Sequence, residues 1–483
     1  MSQPSTPTLP PAVRRVVIAG ATGFVGRAFA AALVEANPTV EVVGLTRSDR
    51  VRLSEGEESL RRVQWLRVDL FSLLECELAL AGATHAIYLV HSMMPSARLT
   101  QASFDDLDLL LADNFARAAR HQGVSQILYL GGIVPSGPLS AHLRSRREVE
   151  DALASTGVPT TTVRAGLVLG PGGSSARMMV RLVQRLPVLA CPRWTESRCS
   201  PIDLRDLLPV LLAVVGHKDP PDVLDVGGAD VLSYRALLQQ AAHAAGLRRP
   251  FFSIPLFSPG LSTLWVSLVT GSTRALVRPL VQSLRHSMVP EANDWQLEHQ
   301  PPRHSTSEAL ERVIATPPPS AIEPIDAKPV RKRMAAPRNT VRSVQRLPKP
   351  LSMSAAAAAD AYMRWLPRFF RPFFVVDGDD QQARFRVRGM PWPLLVLQRS
   401  DERSEESRPL FYVTGGLLAR PDLSPLGRLE FRSVLDGGFL LTAIHDFVPR
   451  LPWFAYNATQ AWVHLGVMHS FGRFLGGRDG GEG

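Results

Sequence analysis

Three glycines near the start of the chain have the spacing of a phosphate-binding turn. They are Gly20, Gly23 and Gly26, in the run GATGFVG, and they lie between the apolar run Arg14–Ala19 and the helical pattern Arg27–Glu35. The first glycine permits a tight turn, the second lets backbone N–H groups approach a diphosphate, and the third lets the helix pack closely on the strand. The segment therefore predicts a dinucleotide-binding turn, with the positive end of the helix dipole facing the diphosphate.

The residues after the predicted second strand bear on which dinucleotide is bound. About 20 residues past the last glycine, where the ribose is read, the chain has Leu45-Thr46-Arg47-Ser48. A carboxylate at this place would bind the ribose hydroxyls of NAD, whereas Arg47 and a small hydroxyl can hold the 2′-phosphate of NADP by charge-assisted hydrogen bonds. The sequence therefore favours NADP. Because Asp49 lies nearby, NAD remains an alternative, as does a solvated basic loop.

The elements that would position these residues alternate between strand and helix. Short apolar runs typical of buried strands occur at six places, with helical patterns between most of them. The six runs are Arg14–Ala19, Glu41–Leu45, Val63–Val68, His85–Val90, Gln126–Leu130 and Thr160–Val168. Such strands indicate a parallel sheet covered on both faces. The sequence thus predicts a doubly wound α/β Rossmann domain over residues 13–300, with a variable substrate lobe from about residue 171.

The composition excludes several classes of protein. A chain of 483 residues is long enough for about three domains, and 45% hydrophobic with 20% charged residues is the balance of a globular protein. The net charge of +10 is modest for this length and does not by itself imply nucleic acid. Cys76, Cys191 and Cys199 lack metal-ligand spacing, so we expect no metal. The N-terminus shows no signal-peptide pattern, so we expect a cytoplasmic protein.

The motifs of the first half resemble those of the atypical short-chain dehydrogenase/reductases, including NmrA-like NAD(P)-binding proteins. The resemblance covers roughly residues 13–300 and rests on the GATGFVG turn, on Asp69-Leu70 and on Tyr88-Leu89-Val90-His91-Ser92. It implies that Asp69 and Leu70 flank the adenine, and that Val90 to Ser92 run past the ribose and nicotinamide. The predicted cofactor-binding residues are Gly20, Thr22, Gly23, Phe24, Val25, Gly26, Arg47, Asp69, Leu70, Val90, His91 and Ser92.

The same resemblance draws attention to a catalytic pair that this chain lacks. Catalytic members of that family use a Tyr-x-x-x-Lys pair on the helix after the fifth strand, with a serine from the end of that strand. The matching positions here are His142 and Arg146, and the strand ends in Gly131-Gly132. Arg146 can hydrogen-bond ribose hydroxyls but cannot donate its proton.

His142 and Arg146 are nevertheless the candidate catalytic residues. An imidazole with an ordinary pKa of about 6.5 has the acid strength for proton transfer near neutral pH, although it is shorter than a phenol. The alternative is that His142 only lines the cofactor cleft.

Prolines and basic residues concentrate between residues 301 and 350. The part Ala327–Pro350 carries eight Lys or Arg residues and no carboxylate. We predict a Pro-rich basic linker here. Weak peripheral contact with a membrane, through this segment and the C-terminal Trp/Phe helix, is an alternative. Specific nucleic-acid binding is not expected, because interleaved aromatic residues and a known motif are missing.

Residues 351–475 predict a second, smaller α+β domain. A helical pattern at Ser354–Trp365 precedes a series of strand patterns, with turn signals at Asp377-Gly378 and Asp436-Gly437-Gly438, and a helical pattern follows at Leu451–Phe471. This order resembles the helix-grip, START-like fold and a bacterial domain of unknown function that follows Rossmann domains. The resemblance implies an antiparallel sheet with a C-terminal helix and a cavity for a small apolar molecule. A filled core is the alternative.

Two functions follow from these observations. The first is an NAD(P)H-binding, atypical oxidoreductase that lacks the Tyr-x-x-x-Lys pair and acts on a small apolar substrate, with NADP as the favoured cofactor. The second is a nonenzymatic regulatory protein that senses NADP(H), as NmrA-like regulators do. The sequence leaves the substrate and the oligomeric state open, and it does not decide whether hydride transfer occurs.

Overall fold

A computed structural model gives the architecture of the chain. It has two compact units, one formed by residues 1–93 and 111–332 and the other by residues 94–110 and 333–483. Within the described residues, no helix is long and apolar enough to cross a membrane. The described residues are 9–54, 56–91, 100–254, 267, 271, 281–291, 293–299, 301–316, 324–331, 340–379, 381–422, 427–451 and 460–477.

The strands described along the chain range from two to nine residues in length. They are Arg15–Ala19 (β1), Glu41–Thr46 (β2), Arg50–Val51 (β3), Gln64–Arg67 (β4), His85–Tyr88 (β5), Thr100–Gln101 (β6), Gln126–Gly132 (β7), Thr160–Ala165 (β8), Val168–Leu169 (β9), Leu189–Pro192 (β10), Arg198–Cys199 (β11), Ile202–Asp203 (β12), Val223–Val226 (β13), Leu232–Ser233 (β14), Phe251–Ile254 (β15), Ile325–Asp326 (β16), Lys328–Pro329 (β17), Val341–Pro348 (β18), Phe374–Gly378 (β19), Gln382–Val387 (β20), Pro393–Arg399 (β21), Leu410–Gly415 (β22), Arg428–Val434 (β23) and Phe439–Phe447 (β24).

The helices fall between these strands. Along the chain they are Phe24–Ala36 (α1), Leu73–Leu80 (α2), Phe104–His121 (α3), Ala141–Ala154 (α4), Ser174–Arg185 (α5), Leu204–Val214 (α6) and Tyr234–Ala244 (α7), then Asp294–His299, Thr306–Ala315, Ala355–Phe369 and Gln460–Gly476, with 3₁₀ helices at Glu58–Arg62 and Arg193–Glu196.

The first unit is built on an eight-stranded sheet in the order β13-β8-β7-β5-β1-β2-β4-β17. Every pair of neighbours in it is parallel. Val16, Val17 and Ile18 of β1 have no exposed surface, because successive side chains point to opposite faces and helices cover both. These findings confirm the predicted doubly wound α/β fold. Because these strands are parallel, the carboxyl ends of β1, β2, β4, β5 and β7 share one edge of the sheet. The direction in which successive strands are added reverses beside β1.

The predicted variable lobe contains a second small core in the first unit. It is formed by α5, α7 and the helix Thr306–Ala315, whose buried residues include Ala176, Leu237 and Leu310. Ser305 and Glu308 form a capping box at the start of that last helix. The helix therefore belongs to the first unit, although it lies within the range 301–350 that the sequence predicts to be a linker.

The second unit is built on a sheet in the order β19-β20-β21-β22-β23-β24-β18-β6. Neighbours from β19 to β18 are antiparallel, and the short β6 pairs with β18 in parallel. The helices Ala355–Phe369 and Gln460–Gly476 cover one face, where the ring of Tyr362 contacts those of Phe431 and Phe471. The predicted antiparallel sheet with a C-terminal helix is thus confirmed.

Two elements of this unit differ from their predicted bounds. The C-terminal helix begins at Gln460 rather than Leu451, and residues 452–459 lie outside the described part. Strand β18 lies in the range predicted as linker. It forms because Val341, Val344 and Leu347 are buried in the sheet, while Arg346 pairs with Asp106 at 2.7 Å.

The other face of this sheet is ionic at β23. Glu430 has no exposed surface and accepts hydrogen bonds from Arg408 (Nε, 2.8 Å), Arg428 (Nε, 2.9 Å) and Arg432 (Nη2, 2.6 Å). His445 is also fully buried, with its Nε2 3.6 Å from Glu430 Oε1. We call these five residues the ionic cluster.

Candidate functional site

The glycine turn after β1 shows which of its glycines the fold itself requires. Gly20 has a φ of +84°, and a Cβ there would lie 2.6 Å from the backbone oxygen of Leu89. A Cβ on Gly26 would lie 2.2 Å from the oxygen of Gly20. Both positions therefore need glycine, one for conformation and close approach, the other for packing of α1 on the turn.

Gly23 differs from the other two glycines. Its φ of −76° and ψ of 172° are accessible to any residue, and a Cβ there would meet only the Gly20 oxygen, at 3.2 Å. Gly23 is exposed and precedes α1 without a side-chain cap or an acidic residue in the first turn. The first N–H groups of a helix, here from Phe24 to Gly26, have no acceptor within it. The turn thus presents uncapped donors at an open surface beside a glycine whose φ and ψ do not require it, although a Cβ there would press on the Gly20 oxygen.

A cleft of about 660 Å³ opens beside this turn, at the ends of β1 and β2. Its lining residues are Thr22, Arg27, Thr46, Ser48, Asp49, Arg50, Val51, Arg52 and Pro324. Arg50 pairs with Asp326 at 3.1 Å, and Asp49 pairs with Arg67. The cleft is therefore basic and carries the hydroxyls of Thr22, Thr46 and Ser48.

Arg27 is held in place at the mouth of this cleft. Its Nε donates to Glu57 Oε1 at 2.7 Å, and its Nη2 donates to the oxygen of Arg52 at 3.0 Å. Burial would raise the pKa of Glu57, but the hydrogen bonds from Arg27 and Ser54 lower it overall. Glu57 is therefore ionised, and the guanidinium of Arg27 has a fixed orientation.

The sequence singled out Arg47, whereas the cleft is lined by other arginines. Arg47 is exposed and is not among the lining residues. Arg50 and Arg52, which lie near Arg47 in the sequence, line the cleft, and so does Arg27, which was not a candidate. Arg27 directly follows the last glycine of the motif, which is the signal that could have identified it.

Asp69 and Leu70 follow β4, and Val90 and His91 follow β5, at the carboxyl edge of the same sheet. Asp69 Oδ1 accepts from the N–H of Phe71 at 3.1 Å, and Asn114 Nδ2 donates to the oxygen of Leu70 at 2.8 Å. These bonds fix the turn after β4. Val90 and His91 are half-buried, and Ser92 lies outside the described residues.

His142 and Arg146 lie one turn apart at the start of α4, as predicted. The helix begins after Ser140, whose hydroxyl accepts from the N–H of Leu143 at 3.3 Å. The ring centroids of His142 and His91 are 4.9 Å apart. His142 is buried, and its Nδ1 has no hydrogen-bond partner among the described residues.

The environment of His142 corrects the expectation of an imidazole poised near neutral pH. Burial, followed by the charge of Arg146 and by His91, lowers the pKa of His142 to about 2. The ring is therefore neutral at pH 7 and has no imidazolium proton to give. A Cβ on Gly132 would meet nothing within 4 Å, so the place of the family's serine is open space.

Two carboxylates, one at the end of β12 and one in the first turn of α6, have structural roles. Asp203 caps α6 by accepting from the N–H of Arg205 at 2.8 Å, and it pairs with Arg312 at 2.8 Å. Asp206 accepts from the N–H groups of Arg303 and His304 at 3.1 and 3.0 Å. In the part of the chain that the structure describes, no group of three or more His, Cys, Asp or Glu residues could hold a metal ion.

Part of the first unit is similar to a known protein family and to one curated protein. Residues 16–227 match the model of the NAD dependent epimerase/dehydratase family. Auxiliary protein GraX of Staphylococcus aureus is 27% identical over 118 residues, which are 24% of this chain and 36% of GraX. The match thus spans about a third of the length of that curated relative.

Solved structures with a similar fold come from two kinds of enzyme. UDP-glucose 4-epimerase of Thermotoga maritima, solved with UDP-glucose, is 15% identical, with 62% of this chain and 97% of that chain covered and a TM-score of 0.47. Triphenylmethane reductase of Citrobacter sp., complexed with NADP(H), is 14% identical, with 62% and 99% covered and a TM-score of 0.48. By the family match, residues 16–227, which are less than half of the chain, are similar to the NAD dependent epimerase/dehydratase family.

Proposed function

We propose that the first unit is an NAD(P)-dependent oxidoreductase that favours NADP and acts on a small apolar substrate without a Tyr-x-x-x-Lys pair. The observation that carries this proposal is the glycine turn. The φ and ψ of Gly23 do not require glycine, although a Cβ there would be tight against the Gly20 oxygen at 3.2 Å, and Gly23 lies where a diphosphate would approach the uncapped start of α1. The family match supports the same cofactor class.

The basic cleft supports NADP over NAD. Arg50 and Arg52 are exposed and line the cleft with Ser48 at the end of β2, which is where a Rossmann fold reads the ribose. A 2′-phosphate would gain charge-assisted hydrogen bonds from these side chains, each of which is stronger than a neutral hydrogen bond. Asp49 pairs with Arg67, and Arg50 pairs with Asp326 at 3.1 Å, so a 2′-phosphate would take the place of Asp326 on Arg50.

The residues of α4 limit the chemistry. A bound nicotinamide would supply or accept a hydride. Arg146 would hydrogen-bond ribose hydroxyls, and the neutral ring of His142 can donate one hydrogen bond and accept another. Because the pKa of His142 is about 2, the ring is a poor general acid and a poor general base at pH 7. In this proposal the proton for a reduced product comes from water.

A nonenzymatic NADP(H) sensor is the second candidate. The observation that favours it is the loss of the proton-transfer set: Arg146 cannot donate, His142 is neutral, and Gly131 and Gly132 replace the serine. A site that retains the cofactor turn without this set suits a protein that binds the dinucleotide and reports its presence.

Substitution of Gly23 tests the cofactor site. We expect Gly23→Ala to weaken NADPH binding at least about tenfold in a fluorescence titration, because the methyl group would occupy the diphosphate site. Gly466→Ala is the matched control, since a Cβ there meets nothing within 4 Å. Equal NADPH affinity in wild type and Gly23→Ala, or no binding of either dinucleotide by the wild type, would refute the proposal.

The choice of dinucleotide is tested at the cleft. Removing one charge-assisted bond costs about 1.5–3 kcal/mol, so Arg50→Ala and Arg52→Ala should each weaken NADPH binding by roughly tenfold to a hundredfold and leave NADH binding unchanged. Arg47→Ala asks whether the residue chosen from the sequence contributes. The exposed Arg61 provides the control Arg61→Ala. A parallel loss of NADPH and NADH affinity would argue against a 2′-phosphate site.

Single-turnover oxidation of bound NADPH separates the enzyme from the sensor. Ketones, enones and quinones are the substrates to screen. If His142→Gln still oxidises NADPH, water is supported as the proton source. If His142→Gln binds NADPH normally but no longer oxidises it, His142 takes part in the reaction. Tight binding with no oxidation by any member of the panel favours the sensor.

A further inference from the structure

One end of the sheet in the second unit carries several exposed aromatic side chains. The connections β20–β21 and β22–β23 and the start of β19 lie at this end, because neighbouring strands from β19 to β24 are antiparallel. We call the turns at this end, residues 368–374, 388–393, 415–422 and 447–451, the aromatic end. The opposite end holds the connections β19–β20, β21–β22 and β23–β24.

The exposed apolar side chains at the aromatic end lie on adjacent turns that are joined by backbone hydrogen bonds. Phe373 is 70% exposed and Trp392 is 62% exposed. The N–H of Arg388 donates to the oxygen of Phe373 at 2.9 Å, and the N–H of Leu417 donates to the oxygen of Pro393 at 3.0 Å, so adjacent turns are joined. Phe369, Met390, Leu417 and Leu451 are also exposed. Grouped exposed apolar residues of this kind mark an interaction surface.

The charged residues at the aromatic end are mostly basic. Arg368, Arg371, Arg388 and Arg450 are exposed. Among the described residues of these turns the carboxylate is Asp422, which pairs with Arg420 at 3.6 Å. The aromatic end therefore combines aromatic rings with a net positive charge.

The opposite end of the sheet has the reverse character. Its turns carry exposed carboxylates, which are Asp379, Asp401, Glu402, Glu405, Glu406 and Asp436. The two ends thus differ in the sign of their charge, so a negatively charged surface would attract one and repel the other.

We propose that the aromatic end docks on a membrane surface that contains anionic lipid. Tryptophan and phenylalanine are favoured at the boundary between lipid headgroups and acyl chains, and arginine binds phosphate by charge-assisted hydrogen bonds. The exposed rings lie on turns rather than in a groove, which suits insertion into a soft surface more than recognition of a folded protein. This docking is independent of cofactor binding, and its residues lie outside the basic segment 327–350.

Vesicle co-sedimentation of the full chain tests the proposal. We expect binding to phosphatidylcholine vesicles that contain phosphatidylserine, weak binding to phosphatidylcholine alone, and loss of binding at high salt. The variant Phe373→Ala/Trp392→Ala should bind at least about tenfold more weakly, because two large apolar side chains no longer leave water. The variant Arg368→Gln/Arg371→Gln/Arg388→Gln should also lose at least about tenfold, since each arginine near the surface contributes up to about fivefold.

Matched controls remove similar groups elsewhere. Leu351→Ala/Phe252→Ala deletes two exposed apolar side chains, and Arg61→Gln/Arg177→Gln/Arg248→Gln makes the same change in net charge. We expect both controls to bind as the wild type does. Circular dichroism and NADPH titration of each variant report whether it is folded, separately from lipid binding.

Four outcomes would overturn the proposal. They are no binding of the wild type at low salt, equal losses in the controls, full binding by both aromatic-end variants, and a wild-type dimer that Phe373→Ala/Trp392→Ala dissociates. The third would place the contact elsewhere, such as the basic segment 327–350, and the fourth would make the aromatic end a subunit interface.

Discussion

The two large sheets bury their residues in different ways. In the parallel sheet of the first unit, neighbouring residues of one strand, such as Ile127 and Leu128, point to opposite faces and are both fully buried and apolar. In the antiparallel sheet of the second unit, β23 alternates between Leu429 and Phe431 on the helix-covered face and Glu430 with Arg432 on the other. Glu430 and Arg432 are as buried as their apolar neighbours.

The difference shows what a buried sheet face needs. An apolar face gains free energy from burial alone, whereas an ionic face must satisfy every charge it removes from water. Glu430 meets this demand with three arginines, of which Arg428 also pairs with Asp446 at 3.0 Å. The stability of the second unit should therefore be more sensitive to changes of charge than that of the first.

The largest expected effect comes from Glu430→Gln. Removing the carboxylate charge leaves Arg408, Arg428 and Arg432 buried together, which should cost about 3–5 kcal/mol in the free energy of unfolding of the second unit. Urea unfolding followed by near-ultraviolet circular dichroism measures it. The control Glu41→Gln breaks the exposed pair with Arg15 in the first unit and should cost less than about 1 kcal/mol. Similar costs for the two substitutions would contradict the comparison.

A second prediction concerns the two faces of the parallel sheet. Ile127→Ala and Leu128→Ala should each cost about 2–5 kcal/mol, because each leaves a cavity in a dry core. Since both faces are apolar, neither variant should change the dependence of stability on pH. A large loss on one face with none on the other would show that only one face of this sheet is a core.

The third effect, which is the smallest over the range from pH 7 to 5, is a dependence of stability on pH in the second unit. Burial, and then the charge of Arg428, lowers the pKa of His445 to about 3, so the folded state keeps this ring neutral. An unfolded histidine binds its proton near pH 6.5, and stability should fall by about 1.4 kcal/mol per pH unit as pH falls from about 6.5 toward 3.

Glu430 adds a second loss of stability in the lower part of that range. Burial would raise the pKa of Glu430, but Arg408, Arg432 and Arg428 lower it well below 4.5, so its contribution is lost as pH falls below about 4.5. Urea midpoints at pH 7, 6 and 5 should therefore decrease in the wild type. They should decrease less in His445→Gln, while the exposed His469→Gln should follow the wild type. An identical slope in His445→Gln would remove that residue from the explanation.

Much of the fold was predictable because its signals are local. The patterns of β1, β2, β4, β5, β7 and β8 are short, largely apolar runs, and Gly20 and Gly26 are required by the sterics of the turn itself. Strand β18 was not predicted because Arg342, Gln345 and Arg346 give its sequence the character of a basic linker. In addition, its partner strand β24 lies about 100 residues later in the chain.

The candidate site was predictable in position more than in electrostatics. His142 and Arg146 could be placed on α4 from their spacing. The neutral state of His142 could not be predicted, because it depends on burial, on Arg146 and on His91, and His91 follows β5 rather than lying on α4. The place of Arg27 in the cleft became apparent only once the ends of β1 and β2 lay side by side.

The parallel pairing of β6 with β18 has a consequence for how the chain acquires its structure. Thr100 and Gln101 pair with Arg342 and Ser343, and Asp106 pairs with Arg346, 240 residues later. A ribosome therefore releases the edge strand of the second sheet long before the rest of that sheet exists. A fragment that starts at residue 333 would lack both β6 and Asp106, so we expect it to expose a bare edge and to aggregate.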